Sequence, residues 1–477
     1  MSEYDLAVVG GGPAGAAAAI EAAGLGLRCL LFDEGSDAGG QVYRPPAFAA
    51  ATGGPDAAAG AALRAGLAGS AVERAFGHRV WFAGPAAEAA GFELQAVGPE
   101  GNRRVTARAL LAAAGTSERV FPCAGWTLPG VTGLAAATIL LKSQKVLPGR
   151  RVVVAGCGPL LPLVAVGILE LGGAVAALVD LNGPADWLAA LPGLAARPDL
   201  ALRGLGWLAR LRRAGVPLYT RWGVRAVSGR EAVEAVEIGP VEADWRPSRQ
   251  RPALRIEADA LCLGHGLLPA SELTRLLGAA HAYRPEAGGW LPVLDEAGRT
   301  SLPLLYAAGD GARLLGAGAA PLAGRLAALA AARDLGRLSE AAFAQRAAPL
   351  RRRLRRAARF GTAMARLCTP RPGLVEGLGA DAVACRCEEL TRGELGAAIA
   401  AGAGSLAALK AATRCGMGPC GGRLCNATAH ALLAAAGRSA AEIGAPSARP
   451  PLRPVPLAAL TGSFDYADVP IRELSPR

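Results

Sequence analysis

The stretch Asp5-Leu-Ala-Val-Val-Gly-Gly-Gly-Pro-Ala-Gly15 decides the fold, because it joins a short apolar run to a glycine-rich turn and an alanine-rich segment. Gly10 allows a tight turn after the strand, and Gly12 lets a pyrophosphate approach the backbone. Gly15 lets the following helix pack closely on the strand. That helix directs free N–H groups and the positive end of its dipole toward the phosphates. The stretch therefore predicts a dinucleotide-binding β–α–β unit.

The next apolar run ends in two acids, Asp33 and Glu34, at the distance where this fingerprint places a ribose-binding carboxylate. The following Gly39-Gly40-Gln41-Val42-Tyr43-Arg44 resembles the second glycine motif of flavoproteins with two dinucleotide-binding domains, in which FAD is the first nucleotide. The segment 304–311 resembles the last element of that pattern, whose aspartate, here Asp310, contacts the ribityl chain. Its alternative role is a helix N-cap, since 311–329 is predicted to be helical. The residues predicted to bind FAD are Gly10, Gly12, Pro13, Ala14, Gly15, Asp33, Glu34, Gly40, Gln41, Arg44, Gly309 and Asp310.

A second glycine-rich turn follows the apolar run 152–155. Gly156 and Gly158 repeat the first two glycines of the fingerprint and are candidates for nucleotide contact, but Leu161 stands at the third position. A leucine there forces helix and strand apart, or tilts the helix away from the phosphates. This unit is therefore expected to bind NAD(P)H, an adenine nucleotide without a nicotinamide, or nothing.

Five of the ten cysteines lie in one C-terminal region. The pair Cys385-Arg386-Cys387 and the pair Cys420 and Cys425 flank a segment, Thr391 to Lys410, that is predicted to be one helix. Four thiolates from two loops suit either a [2Fe–2S] cluster or a structural zinc ion. The glycines around Cys420 favour the cluster, because they leave backbone N–H groups free to approach its sulfurs.

The sequence Cys385-Arg-Cys-Glu-Glu-Leu-Thr391, with the later Thr-Arg-x-Gly-Met-Gly-Pro-Cys, resembles the [2Fe–2S] domain of the bacterioferritin-associated-ferredoxin type. In that family the ligands are the Cys-x-Cys pair and the two cysteines of the later pair. The resemblance implies Cys385, Cys387, Cys420 and Cys425 as cluster ligands. It makes Cys415 a bystander, because the family often has alanine at that position.

The segments 121–131 and 156–161 are further matches to the flavoprotein subunits of amine dehydrogenases, and nearly the whole chain resembles the alpha-type subunit of heteromeric amino-acid dehydrogenases. The resemblance implies an oxidoreductase subunit that relays electrons from amine or imino-acid oxidation in a partner, through FAD, to the cluster. It also implies a glycine-oxidase-like flavoprotein partner, with FMN at an interface between subunits and a small ferredoxin-like protein as further candidates. The alternative is a self-contained NAD(P)H-dependent flavin and iron–sulfur oxidoreductase. No residue is assigned as a catalytic acid or base.

Charge and hydropathy exclude some other functions. The formal net charge is +12, and its densest cluster, 351–359, has the spacing of a solvated helix face within an arginine-rich linker helix expected at about 340–366. Nucleic-acid binding usually needs a basic face, often with interleaved aromatic residues, and is not predicted. The uncharged run 152–169 contains glycines and prolines and is predicted as strand, turn and buried helix rather than a membrane span. The absence of a basic leader, with ten cysteines, predicts a reducing, cytoplasmic location.

The predicted fold is therefore α/β, a flavoprotein with two Rossmann-like domains and parallel sheets, followed by a small helical iron–sulfur domain. His265 lies in the segment expected to return to the first domain, where the turn meets the cofactor in related folds. The sequence leaves open whether its side chain approaches the flavin or only its backbone is used, and no acid–base role is assigned to it. The predicted divisions are an FAD-binding domain at 1–119 and 260–338, a second Rossmann-like domain at 120–259, an arginine-rich linker at 339–379, a [2Fe–2S] domain at 380–437 and a proline-rich tail at 438–477.

Overall fold

The structure is a computed structural model that describes residues 3–45, 55–86, 90–248 and 250–461. The described chain forms two Rossmann-like units, a long connecting helix and a small helical unit with a C-terminal tail. Within these ranges no helix combines the length and the apolar character needed to cross a bilayer. The last part of the predicted tail, 462–477, lies outside the described residues.

The first unit begins with the predicted strand, glycine turn and helix. Its opening elements are β1 (Glu3–Val9), α1 (Pro13–Gly24), β2 (Cys29–Asp33), α2 (Pro55–Ala68), β3 (Glu73–Phe76), β4 (Arg79–Pro85), β5 (Phe92–Gly98), β6 (Gly101–Ala112) and β7 (Thr116–Glu118). The strand order is β3-β2-β1-β6-β5-β4, with β1 parallel to both of its neighbours. Parallel pairing brings the carboxyl ends of β1 and β2 to one edge of the sheet, where ligands bind in such folds.

The second unit repeats this architecture on its own core. Its elements are β8 (Val131–Gly133), α3 (Leu134–Ile139), β9 (Arg151–Gly156), α4 (Leu160–Glu170), β10 (Ala174–Asp180), α5 (Pro184–Leu194), α6 (Pro198–Arg213), β11 (Leu218–Thr220), β12 (Trp222–Ser228), β13 (Ala235–Pro240), β14 (Leu254–Glu257) and β15 (Ala260–Gly264). The parallel sheet has the order β11-β10-β9-β15-β8. The prediction of strand, turn and helix over 152–169 is confirmed by β9 and α4.

The predicted end of the second domain at residue 259 is wrong. Strand β15 pairs in parallel with β9 and with β8, so it is a central strand of the second sheet rather than the first element of the returning chain. The chain re-enters the first unit at the next strand, which pairs with β7. An apolar strand fits the interior of either sheet, so its composition alone does not show which one it joins.

The returning chain completes the first unit with β16 (Leu267–Pro269), α7 (Glu272–Leu276), β17 (His281–Arg284), β18 (Gly289–Pro292), β19 (Leu305–Ala307) and α8 (Ala320–Asp334). Strand β19 pairs with β6, and α8 packs on α1. The predicted helical start at Gly311 is wrong, because turns precede a helix that begins at Ala320. This excludes the N-cap role considered for Asp310, since the residue before the helix is Ala319.

The C-terminal part contains α9 (Glu340–Leu367), α10 (Gly373–Glu376), β20 (Val383–Cys385), β21 (Leu390–Thr391), α11 (Arg392–Ala400), α12 (Leu406–Thr413), α13 (Asn426–Ala435), α14 (Ala440–Ile443) and α15 (Ala458–Thr461). The predicted linker helix is confirmed as α9. The single helix predicted from Thr391 to Lys410 is wrong, because α11 ends at Ala400 and α12 begins at Leu406, and the turn between them contains Gly402, whose φ is +106°. Ser405 caps the second of them by accepting a hydrogen bond from the Ala408 N–H.

Candidate functional site

A cavity of about 980 Å³ opens at the carboxyl edge of the first sheet. Eleven of the twelve residues predicted to bind FAD line it: Gly10, Gly12, Pro13, Ala14, Asp33, Glu34, Gly40, Gln41, Arg44, Gly309 and Asp310. Gly15 is the exception, because it lies inside α1, where an added Cβ would overlap the carbonyl oxygen of Gly10. Gly15 therefore fixes how α1 sits on β1, and it acts on the cavity through packing.

The two glycine motifs of the first unit form one wall of this cavity. A Cβ added at Gly40 would lie 2.9 Å from the Cα of Gly12, so the two backbones approach as closely as glycine permits. Gly12, Pro13 and Ala14, at the start of α1, line the same cavity, so a ligand in it can reach the backbone of this turn. The size of the cavity and this exposed backbone fit the diphosphate and two nucleoside-like halves of FAD.

The two acids at the end of β2 have separate environments. Asp33 accepts hydrogen bonds from the N–H of Gly11 at 2.5 Å and from the N–H of Gly35 at 2.6 Å. Burial raises the pKa of Asp33, against the opposing effect of these backbone bonds. Asp33 therefore holds the glycine turn in shape. Glu34 also lines the cavity and forms an exposed ion pair with Arg79 at 3.3 Å, so its carboxylate is the more accessible of the two.

Asp310 holds the loop before α8. Its Oδ1 accepts hydrogen bonds from the N–H of Leu315 at 2.9 Å and of Gly316 at 2.8 Å. Burial is the main cause of its raised pKa. The hydrogen bonds that this carboxylate accepts within the described chain all go to Oδ1, and the residue lines the cavity. Oδ2 is therefore the oxygen that can accept a hydrogen bond from a ligand hydroxyl.

The corresponding turn of the second unit is covered by the end of the linker helix. A Cβ added at Gly158 would overlap the Sγ of Cys368, which follows α9 directly. The Cys368 thiol approaches the Cys157 carbonyl at 3.8 Å, and Asn182 donates to the Leu367 carbonyl at 3.1 Å. A thiol and a peptide unit of the chain itself thus lie where a pyrophosphate would approach the turn.

Asp180, the acid that ends β10 of the second unit, already accepts hydrogen bonds from neighbouring residues. Asp180 accepts from the N–H and the side-chain amide of Asn182 at 2.9 and 3.1 Å, and from the indole N–H of Trp187 at 3.0 Å. Burial raises its pKa to about 6. A cavity that includes Gly156 and Leu181 has a volume of only about 90 Å³, against 980 Å³ in the first unit. Gly156 and Gly158 therefore form a glycine-rich turn that the end of α9 covers.

The C-terminal cysteines form the second centre. The thiols of Cys385, Cys415 and Cys425 are buried and lie within 4.8 Å of one another. Cys387 and Cys420 are partly exposed and hydrogen-bond each other. Two of the four predicted ligands, Cys385 and Cys425, therefore lie in a three-thiol group with Cys415, which the resemblance treats as a bystander, and the other two, Cys387 and Cys420, form a separate pair. In the sequence, the position of Cys415 between the two predicted ligand pairs is the one sign that its thiol lies close to theirs.

Backbone groups approach these sulfurs as the glycine content predicts. The backbone of Gly416 and of Glu388 hydrogen-bonds the Cys385 thiol. A Cβ at Gly418 would overlap the Cβ of Cys387, so this loop can close on the hairpin only with glycine there. Such N–H groups stabilise anionic sulfur, and the donor set of several thiols fits an iron–sulfur cluster.

The two centres meet at Arg423, which lies between Cys420 and Cys425. Its guanidinium lines the FAD-type cavity and pairs with Glu272 at 2.9 Å. Arg423 also donates to the Cys420 carbonyl at 2.6 Å. The cysteine loop is thus attached directly to the wall of the dinucleotide cavity.

His265 has a structural role. Its Nδ1 accepts the N–H of Phe121 at 3.1 Å, and its ring meets the Phe121 ring edge to face at 5.6 Å. Burial lowers the pKa of His265 to about 3, so the ring is neutral near pH 7. The residue joins the end of β15 to the crossover between the units.

Known proteins resemble the chain over nearly its whole length. The family of pyridine nucleotide-disulphide oxidoreductases matches residues 4–336, and the BFD-like [2Fe-2S] binding domain matches 383–435. An opine oxidase subunit of Agrobacterium tumefaciens is 35% identical over 96% of this chain and 91% of that protein. Hydrogen cyanide synthase subunit HcnB of Pseudomonas protegens is 36% identical over 96% and 97%, respectively.

Two solved structures share the fold. L-proline dehydrogenase from P. horikoshii has a TM-score of 0.71 and 21% identity, over 96% of this chain and 79% of that one. The thioredoxin reductase of T. acidophilum has a TM-score of 0.51 and 18% identity, over 70% and 99%. The family matches confirm the predicted FAD and [2Fe–2S] cofactors, and they decide against zinc in the cysteine site.

Proposed function

The chain belongs to the pyridine nucleotide-disulphide oxidoreductase family, with a [2Fe–2S] domain fused to it, and from this premise we propose that it is an electron-relay subunit. It takes electrons from the oxidation of an amine or imino acid in a partner flavoprotein and passes them through FAD to the cluster. The relatives named as subunits of opine oxidase and of hydrogen cyanide synthase support the existence of such a partner. The observation that carries the proposal is Arg423, which joins the cysteine loop to the wall of the dinucleotide cavity.

We propose specific roles for the residues of the first cavity. The first turn of α1 binds the pyrophosphate through its backbone N–H groups, with Gly12 giving the closest approach. Glu34 accepts hydrogen bonds from the ribose hydroxyls, because Asp33 is already engaged with the turn. Asp310 accepts a ribityl hydroxyl through Oδ2.

The cysteine-rich C-terminal domain binds the cluster that takes electrons from FAD. Cys385, Cys387, Cys420 and Cys425 bind the cluster, and the backbone of Gly416 stabilises its sulfur charge. When bound, the flavin accepts electrons in pairs and the cluster passes them on singly. The ion pair between Arg423 and Glu272 keeps the cysteine loop against the cavity during transfer.

The alternative, an oxidoreductase that draws electrons from NAD(P)H in its second unit, has less support. The thiol of Cys368 covers Gly158, and Asp180 is occupied by Asn182 and Trp187. A nicotinamide nucleotide would have to displace the end of α9 and break these hydrogen bonds. We therefore infer that the second unit anchors the linker to the cluster domain.

Rapid-mixing kinetics test the relay. The flavin of the purified chain is reduced photochemically without oxygen and then mixed with cytochrome c as a one-electron acceptor. In Cys387→Ser, flavin reoxidation is expected to slow by about tenfold or more, because the electrons lose their exit through the cluster. Met417→Ala, at an exposed side chain of the same loop, is the matched control and is expected to keep the wild-type rate and cluster spectrum. Reoxidation of Cys387→Ser at the wild-type rate would falsify the relay.

A further inference from the structure

Cys415 is a fifth thiol of the cluster domain, and neither the proposed ligand set nor the proposed relay uses it. Its side chain is only 4% exposed, although it lies in the loop between α12 and α13. Its sulfur lies within 4.8 Å of the sulfurs of both Cys385 and Cys425. Because a [2Fe–2S] cluster takes four cysteines, two of its predicted ligands have an additional buried thiol as a direct neighbour.

The local structure holds this thiol in place. Helix α12 ends at Thr413, and Arg414 follows in a left-handed conformation with a φ of +66°. The N–H of Cys415 donates to the Thr413 hydroxyl at 3.2 Å, and the Arg414 guanidinium pairs with Glu388 at 2.8 Å. Since Glu388 directly follows Cys387, this ion pair ties the Cys415 loop to the hairpin of β20 and β21 that carries the Cys-x-Cys pair.

The thiols of Cys415 and Cys425 hydrogen-bond each other. A cysteine that binds a metal ion does so as a thiolate, which can only accept a hydrogen bond. A cysteine that binds no metal has an S–H group, which is a weak donor. With Cys425 as a cluster ligand, the contact is therefore a hydrogen bond that Cys415 donates to the Cys425 sulfur.

The surroundings make this donor more effective. Cys385, Cys415 and Cys425 belong to the apolar core of the domain, together with Leu409 and Leu433. A hydrogen bond to charged sulfur is stronger in such a medium than in water. The backbone of the next residue, Gly416, already hydrogen-bonds the Cys385 thiol. One short segment thus supplies a donor to each of the two buried ligands.

Hydrogen bonds to ligand sulfurs affect the reduction potential of an iron–sulfur cluster. Reduction adds negative charge to the cluster and its sulfurs, so a donor stabilises the reduced form more than the oxidised form. A buried cysteine can also act only as a small apolar residue of the core. That packing role involves no donor, so a change of donor at this position separates the two.

We propose that the Cys415 thiol donates a hydrogen bond to the Cys425 sulfur and thereby raises the reduction potential of the [2Fe–2S] cluster. Cys415 is then a positioning residue, which acts on the cluster through Cys425. The proposal rests on the proposed role of Cys425 as a cluster ligand. It does not depend on the source of the electrons or on the partner.

A redox titration of the full-length, cofactor-loaded protein, followed by electron paramagnetic resonance, measures the cluster potential. Cys415→Ala is expected to shift the reduction equilibrium toward the oxidised form by about threefold to tenfold, or about 30–59 mV for a one-electron couple. Cys415→Ser keeps a donor and should recover at least half of this shift. Met417→Ala, at an exposed side chain of the same loop, is the matched control and should keep the wild-type potential.

Iron and sulfide contents of each variant, and of Cys425→Ala, separate this role from the ligand assignment. Loss of the cluster in Cys425→Ala supports Cys425 as a ligand, whereas a full cluster content there would remove the acceptor and overturn the proposal together with that assignment. If Cys415→Ala assembles no cluster, Cys415→Val carries the test, because valine fills the space of the thiol without a donor.

The potentials decide the role of Cys415 itself. The proposal is overturned if the alanine or valine variant keeps the wild-type potential, or if the potential of Cys415→Ser falls as far as theirs. Failure of both the alanine and the valine variant to assemble a cluster overturns it as well, since a hydrogen-bond donor is not needed for assembly.

Discussion

Replacing Glu118 with glutamine should stabilise the protein at pH 8 and have much less effect at pH 5. Glu118 ends β7 and accepts the N–H of Ala135 at 2.8 Å at the start of α3. Burial raises the pKa of this carboxyl from 4.5 to about 7, against the effect of those backbone bonds. The folded protein therefore keeps a proton that the unfolded chain releases between these two values. The free energy of unfolding must therefore fall as the pH rises from about 4.5 to about 7, and it stays low at higher pH.

The size of the effect follows from the width of the window. A pKa of about 7 in the folded protein, against 4.5 in the unfolded chain, lowers the free energy of unfolding by about 3 kcal/mol at pH 8 and by about 1 kcal/mol at pH 5. Glutamine has the same size and keeps an acceptor for the Ala135 N–H, but it does not titrate. The stability gap between Glu118→Gln and the wild type should therefore widen by about 2 kcal/mol from pH 5 to pH 8.

Urea unfolding followed by circular dichroism at several pH values measures this gap. Glu100→Gln, on the exposed turn between β5 and β6, is the matched control and should track the wild type at every pH. A gap for Glu118→Gln that is the same at pH 5 and pH 8 would refute the reasoning, because a constant offset reflects packing rather than a proton. A variant less stable at pH 8 than the wild type would do the same.

Two further perturbations test the nucleotide sites. Anaerobic titration with NADH and with NADPH should leave the flavin absorbance unchanged, because Cys368 covers the turn at Gly158; rapid bleaching by either would favour the alternative function. Gly15→Ala should yield protein with a markedly lower FAD content, since its Cβ overlaps the Gly10 carbonyl and overpacking costs about 1–3 kcal/mol. Gly24→Ala, at the other end of α1 with no atom within 4 Å of the new Cβ, should keep its FAD, and equal losses in both variants would contradict this role of Gly15.

The sequence by itself determined the first nucleotide site, because its parts are close along the chain. Gly10, Gly12 and Asp33 belong to one β–α–β unit and Gly40 lies in the loop directly after it, so their spacing predicts that they line a common cavity. The cysteine loop was predictable for the same reason, since its thiols come from two short segments of one small domain.

Only the tertiary structure shows that the second glycine-rich turn, at Gly156 and Gly158, is covered by another part of the chain. Its glycines predict a nucleotide-binding turn, and the turn is present, but Cys368 comes from 211 residues away to cover it. Tertiary packing likewise placed β15 in the second sheet. The spacing of residues along the chain predicts contacts within one local unit. It does not predict which distant segment packs into a given space, because that depends on how whole helices and strands pack against each other.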